Sequence, residues 1–163
     1  MTEAIIRKAG EADVPEISSL LLVLSRRYIT PSFSSEGERK LLESMSSEKI
    51  HEYIESGYKY FVAEIDGRIV GAAAIKENRH LYHLFVAEDC QKQGLGRTLW
   101  EEAKSDALKQ GNAGAFTVNS SPNAAKFYER IGFVVEGDSV TASGITHVPM
   151  RYKESAVNRN WIL

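Results

Sequence analysis

The sequence predicts a single α/β (α+β) domain, a hairpin-rich sheet with helices packed on it. Three observations lead there. The 163 residues, 43% hydrophobic and 26% charged, match one globular domain able to bury a core of its own. Strand-like runs and helix-like repeats mix in a pattern that fits neither a pure helical bundle nor a regular βαβ array. No internal repeat, low-complexity tract or long linker divides the chain, so residues 1–153 form one domain and residues 154–163 a tail, polar until Trp161-Ile162-Leu163.

Ile5-Ile6-Arg7-Lys8 opens the chain as a short strand. Asp13 then stands as a cap before Pro15, which suits a first helical turn, and a helix runs to about Tyr28. Pro31 with Ser32, Ser34 and Ser35 breaks it. Two helical stretches follow at 36–45 and 48–55, separated by Ser46-Ser47, and this serine-rich part suits a flap or substrate-side lobe. Residues 60–65 and 69–75 predict a hairpin around Asp66-Gly67, and another strand runs from about His80 to Val86. A long helix starts near Gly94 and ends by Gly111, stacking Gly96, Leu99, Trp100, Ala103 and Ala107 on one face. Strands at 115–118, 133–136 and 147–152 bracket a short helix from Pro122 to Ile131.

A formal net charge of −2 and a pI near 6.1 offer no concentrated basic stripe for nucleic acid. The amino end lacks the charged lead and apolar stretch of a secretory signal, and no run approaches the length needed to span a membrane. A lone Cys90 supplies neither an internal disulfide nor, by itself, a metal site. The expectation is a cytoplasmic protein that binds neither nucleic acid nor membrane and needs no metal.

Chemistry concentrates in two motifs. In Gln91-Lys92-Gln93-Gly94-Leu95-Gly96-Arg97 the glycines stand between a strand and a helix, where backbone can approach a ligand and free N–H groups point outward. The helix dipole and the side chains of Gln91, Lys92, Gln93 and Arg97 add to an anion cradle suited to a diphosphate. The third glycine of a dinucleotide fold and the Gly-Lys-Ser/Thr of a nucleotide P-loop are both missing. Two glycines also permit a mere tight connection with a solvated rim, and the local pattern leaves both readings open. The second motif, residues 121–133, opens on Ser121 and Pro122 and stops at Gly132, with Ala124, Phe127, Tyr128 and Ile131 on one apolar face. By periodicity alone Tyr128 is a core residue.

Together, in this order and spacing, the motifs resemble the GCN5-related N-acetyltransferase (GNAT) superfamily, and the likeness in element order runs from Ile5 to Tyr152. The resemblance implies a mixed, mostly antiparallel central sheet flanked by helices. It implies coenzyme A pyrophosphate on Gln91, Lys92, Gln93, Gly94, Leu95, Gly96 and Arg97, and the pantetheine arm near Leu84-Phe85-Val86 and Phe127. Where the family often carries Asn before the alanine, this chain has Ser121, with Asn123 beside it, as cofactor contacts.

Acetyl-CoA is then the acyl donor, and an amine acceptor attacks it directly, without an acyl-enzyme. Cys90, just before the cradle, looks like an ordinary loop thiol. Tyr128 matches the family tyrosine near the sulfur and is the expected general acid, while a backbone N–H near Val86 steadies the oxyanion. For the base, His83 is preferred for its closeness to the cofactor strand, with His80, Glu64, His147 or a water chain as alternatives. Strand alternation puts His83 with Leu81 and Phe85, and His80 on the opposite face with Tyr82 and Leu84. Glu36, Glu38, Glu43, Glu48 and Glu52, among basic residues, lean toward a cationic acceptor, small molecule or protein. A homodimer accords with the family, and the rival function is a non-catalytic acyl-CoA-binding regulatory module.

Overall fold

Among the described residues, eight strands and five α-helices follow one another in the order β1 (Ile5–Lys8), α1 (Val14–Tyr28), α2 (Ser35–Glu43), α3 (Ser47–Glu55), β2 (Lys59–Ile65), β3 (Arg68–Lys76), β4 (His80–Val86), α4 (Leu95–Lys109), β5 (Ala115–Ser120), α5 (Ala125–Arg130), β6 (Val134–Val135), β7 (Val140–Ala142) and β8 (Ile145–Lys153). This is a computed structural model describing residues 3–153, so the expected tail at 154–163 lies outside the described residues. Among those residues no helix is long and apolar enough to cross a membrane.

The strands form a mixed, mostly antiparallel sheet in the order β1-β2-β3-β4-β5-β8-β6, with β7 paired to β8. Only β4 and β5 run parallel, and they pair only at His80↔Thr117 and Leu81↔Val118. Beyond Leu81 the two strands part, which opens a cleft between their ends.

Helices cover both faces. Leu99, Trp100, Ala103 and Ala107 of α4 pack on Phe61, Ala63, Val70 and Ala73. On the opposite face Val14, Ile17 and Leu21 of α1 and Ile50 of α3 pack on Val62, Ala72 and Ala74. Each fully buried aliphatic contributes roughly 1.5–3 kcal/mol. The small residues of β3 let α4 come close: a Cβ on Gly71 would stand 2.8 Å from Leu99 Cδ1.

Local signals act mostly as expected. Ser34 Oγ accepts from Gly37 N at 3.0 Å and Ser46 Oγ from Lys49 N at 3.2 Å, fixing the starts of α2 and α3. Asp66 and Gly67 take positive φ, 50° and 78°, in the β2–β3 turn. Asp13 sits at the cap position of α1 but makes no side-chain cap; Arg7 engages both its oxygens at 2.8 and 2.9 Å, and Gly10 N donates to one at 2.8 Å. Arg7 also holds Glu64 at 2.9 Å, and its guanidinium keeps the Asp13 carboxyl below the usual range. The short helix at 122–131 begins as a 3-10 turn, Pro122–Ala124, before α5.

Two features depart from expectation. The β7–β8 hairpin, turning at Ser143 and Gly144 with φ of 55° and 79°, was not anticipated beyond a strand at 147–152. And β4 does not alternate simply. Ala74 pairs with His83 but Ile75 with Leu81, leaving Tyr82 unopposed in a β-bulge. Leu81 therefore joins the α4-side core, while His83 turns the other way to meet Tyr60 and Phe85. The expected sharing of one face by Leu81 and His83 is wrong for this reason.

Candidate active site

The start of α4 is built from backbone. The 3-10 turn Glu88–Cys90 carries the chain from β4 to Gly94, whose φ of 79° suits glycine, and no side chain caps the helix. Thr98 N to Gly94 O, at 3.0 Å, is the first helical hydrogen bond, so the N–H groups of Leu95, Gly96 and Arg97 have no acceptor within the helix. At Gly96 a Cβ would meet Phe127 Cζ at 3.0 Å, so its absence lets α5 lie over this end of α4. A cavity of about 430 Å³ opens here, lined by Lys92, Gly94, Leu95, Gly96, Arg97, Phe127 and Arg130.

The expected side-chain donors divide. Gln91 Nε2 donates to Val86 O at 2.9 Å, tying the turn to β4, and Arg97 donates to Arg130 O at 3.2 Å, tying α4 to α5. Lys92 lines the cavity; Gln93 is exposed and does not. Because Val86 O turns to Gln91 and away from β3, the N–H of Val86 shares that direction, toward the cleft left by β5.

A second cavity of about 590 Å³ lies on the other side of the β4 end. Its walls come from α1 and the link after it (Leu24, Tyr28, Ile29, Phe33), from α2 (Lys40, Leu41), from β4 (His80 to Val86 except Leu81) and from β8 (Ile145, Thr146, His147). Leu84, Val86, Gln91, Ala124 and Tyr128 line both cavities. Ser121 and Asn123 line the larger one, and Asn123 Nδ2 also donates to Tyr28 O at 2.8 Å, fastening the second motif to the end of α1. Tyr128 is 7% exposed, and burial pushes its phenol well above the usual range.

The histidines separate by environment. His83 is 5% exposed, its Nδ1 is 3.0 Å from Tyr60 Oη, and burial pushes its imidazole down to about 3. An imidazole so weakly basic is unprotonated at neutral pH and a poor acceptor for an ammonium proton, which counts against the expected base role. His80 sits 2.7 Å from Thr117 Oγ1 through Nδ1, and its basicity is lowered first by burial, then by Lys76 and Arg79. The bulge brings both histidines to the larger cavity, where they were expected on opposite faces. His147, half-buried on β8, lines it too. Glu64 is held by Arg7 and does not line either cavity.

Cys90 is buried, and burial followed by Asp89 raises its thiol, so it is not a thiolate nucleophile. The glutamates at 36, 38, 43, 48 and 52 face solvent and line neither cavity. Among the described residues, Glu11, His51 and Glu55 group closely enough to suggest metal ligands, yet His51 meets Glu11 through Nδ1 and Glu55 through Nε2, on opposite sides of its ring. Sequence reasoning missed Tyr28, Phe33, Lys40 and Ile145 as cavity residues, since only the tertiary approach of α1, α2 and β8 brings them together.

Known proteins give the same architecture. An acetyltransferase (GNAT) domain model matches residues 29–154. The Xenopus laevis protein camello, which bears an N-acetyltransferase name, is 34% identical over 82 residues, covering 45% of this chain but only 37% of its own length. An uncharacterized N-acetyltransferase of Chlorobaculum tepidum is 29% identical over 134 residues, 78% of this chain and 74% of that protein. Among solved structures, the PaiA N-acetyltransferase of Thermoplasma acidophilum in complex with coenzyme A shares the fold at a TM-score of 0.75 and 22% identity, over 93% of this chain and 99% of that one. With the family model spanning most of its length and the fold agreeing throughout, the chain belongs to the GNAT family of acetyltransferases.

Proposed function

We propose that this protein is an acetyl-CoA-dependent N-acetyltransferase that moves the acetyl group directly to an amine held in the larger cavity. The observation that carries the reading is the wall shared by the two cavities, with Tyr128 and the end of β4 in it. One side offers an anion cradle and the other a pocket for an acceptor. The Thermoplasma acidophilum enzyme of this fold was solved in complex with coenzyme A, which supports the choice of donor.

The residues present fit coenzyme A: α4 starts with N–H groups that no helical carbonyl takes up, and glycine leaves room at position 96. Lys92 and the backbone from Gly94 to Arg97 would hold the pyrophosphate, with Gln91 and Arg97 bracing the turn. The β4 backbone from Leu84 to Val86, which has no β5 partner, would hold the pantetheine arm. Bound there, acetyl-CoA supplies an activated thioester carbonyl.

With acetyl-CoA held there, the Val86 N–H would stabilise the charge that develops on the carbonyl oxygen. A phenol is protonated at neutral pH, and burial, which raises the Tyr128 phenol further, keeps that proton in place until negative charge develops on sulfur beside it. His147 would take a proton from the amine as the nitrogen–carbon bond forms, and Tyr128 would give one to the departing sulfur as the carbon–sulfur bond breaks. Solvent then returns His147 and Tyr128 to their starting states. His147 is chosen because β8 pairs Val148 with Ser120, which sets the preceding residue, His147, beside Ser121 in the wall of the larger cavity. His83, kept neutral against Tyr60, braces the cavity floor.

The test is incubation with acetyl-CoA and a panel of amines while free thiol is followed. Amine-dependent thiol release, with acetylated amine found by mass, is the expected outcome. Coenzyme A binding without turnover across the panel would instead make the chain a binding-only regulatory module.

A further inference from the structure

The larger cavity has a lopsided charge. Among the described residues that line it, Lys40 alone carries a fixed charge; His80, His83 and His147 are the other ionisable nitrogen bases, and none of these lining residues is a carboxylate. Two carboxylates that meet lining residues are already paired: Glu36 lies 3.4 Å from Lys40, and Glu88, which contacts Tyr28, lies 3.2 Å from Arg27. The Glu36–Lys40 pair is solvent-exposed and of the loose helical i,i+4 kind, so the Lys40 ammonium remains open to a second anion.

A second cationic group on an acceptor would find no counter-charge here, and burying an unpaired charge is costly. An anionic group would find Lys40. The remaining walls are aromatic and aliphatic: Tyr28 and Phe33 come from the α1–α2 side, and Tyr82 and Phe85 from the sheet. Rings from two elements around one space suit a flat apolar body, which stacks offset or edge-on with such neighbours. The cavity's volume of about 590 Å³ leaves room for a small molecule.

We infer that the acceptor is a small monoamine carrying a carboxylate and a flat aromatic body, with Lys40 as the carboxylate's partner. This rests on the acetyltransferase reading and narrows it, reversing the cationic preference drawn from the glutamates of 36–52.

Isothermal titration in the presence of coenzyme A, comparing phenylalanine, phenethylamine and spermidine, tests the inference without turnover. Phenylalanine should bind about tenfold tighter than phenethylamine, the size expected of a charge-assisted contact, and spermidine weakest. Lys40→Gln should remove that tenfold for phenylalanine and leave phenethylamine unchanged; Lys40→Glu should bring spermidine above phenylalanine. Lys40 is exposed on α2, and an unchanged unfolding midpoint checks that the variants fold.

Equal binding of phenylalanine and phenethylamine, tighter binding of spermidine to the wild type, or equal losses for both ligands in Lys40→Gln would each overturn the inference. A separate coenzyme A titration tells the two layers apart. If coenzyme A binds and acetyl passes to a polyamine, only the acceptor class falls; if coenzyme A does not bind, the transferase reading falls with it.

Discussion

Tyr128 and His83 are both buried tightly, yet burial has opposite meanings for them. It holds the Tyr128 proton on and keeps a proton off His83. Tyr128→Phe should lower kcat by about 10²- to 10⁴-fold, the usual span for a general acid, while coenzyme A affinity measured by titration stays close to wild type. For His83 the consequence is stability. Its folded pKa lies below the unfolded value of 6.5, so the unfolded chain binds the proton first and stability falls as pH drops from about 6.5 toward 3. Denaturant midpoints between pH 7 and pH 5 should therefore decline, by up to about 1.4 kcal/mol per pH unit from this group, and His83→Gln should flatten the decline. His80, lowered more gently, acts in the same direction. His147→Gln should lower kcat by about 10²-fold or more, the span usual for a general base, whereas His83→Gln should leave kcat within severalfold of wild type. The burial of Tyr128 was legible in sequence, from the apolar face of a helix that announces both its ends. The weakness of His83 as a base was not, since burial is decided by Tyr60 and Tyr53 arriving from other elements.

Turns and helix ends were the most legible elements, because their signals lie within a few residues: Asp66-Gly67, Ser34, Ser46 and Gly94 all act where they stand. The bulge in β4 was invisible because it is a property of the pairing with β3, and a period of two read along one strand carries no news of its neighbour. Strand β7 was missed because all three of its residues are exposed and leave no apolar face, although Ser143-Gly144 between β-branched residues was a usable hairpin signal. That hairpin has work to do. Gly37 of α2 lies so close to Gly144 that a Cβ on either residue would collide, with the Gly144 carbonyl in one case and Ser34 Oγ in the other. The contact holds α2 against β8, and both elements wall the larger cavity. Gly37→Val should push them apart, raising the KM for the amine severalfold while coenzyme A affinity is unchanged; an equal loss of both affinities would refute the clasp.

At the scale of the whole molecule, the two helical layers hold a sheet that is firm at one end and parted at the other. Trp100, with no exposed surface, packs edge-on to Phe116 at 5.1 Å and to Tyr152 at 5.4 Å, and sits 5.1 Å from Phe133, joining α4 to β5, β8 and the start of β6. Its Nε1 finds no hydrogen-bond partner, so the residue is there for its bulk. Trp100→Ala should cost about 3–5 kcal/mol by chemical denaturation, and Trp100→Phe clearly less. The sheet-and-helix plan was legible from composition and period, while the parting of β4 from β5 was not, because it depends on how few residues pair between strands distant in sequence. That parting gives the protein two doorways that meet at a single party wall. A molecule seated behind one door does not stand in the path of the other, so loading and unloading need follow no fixed order. Steady-state lines at varied concentrations of both substrates should intersect, and each product should compete only with the substrate that uses its own door.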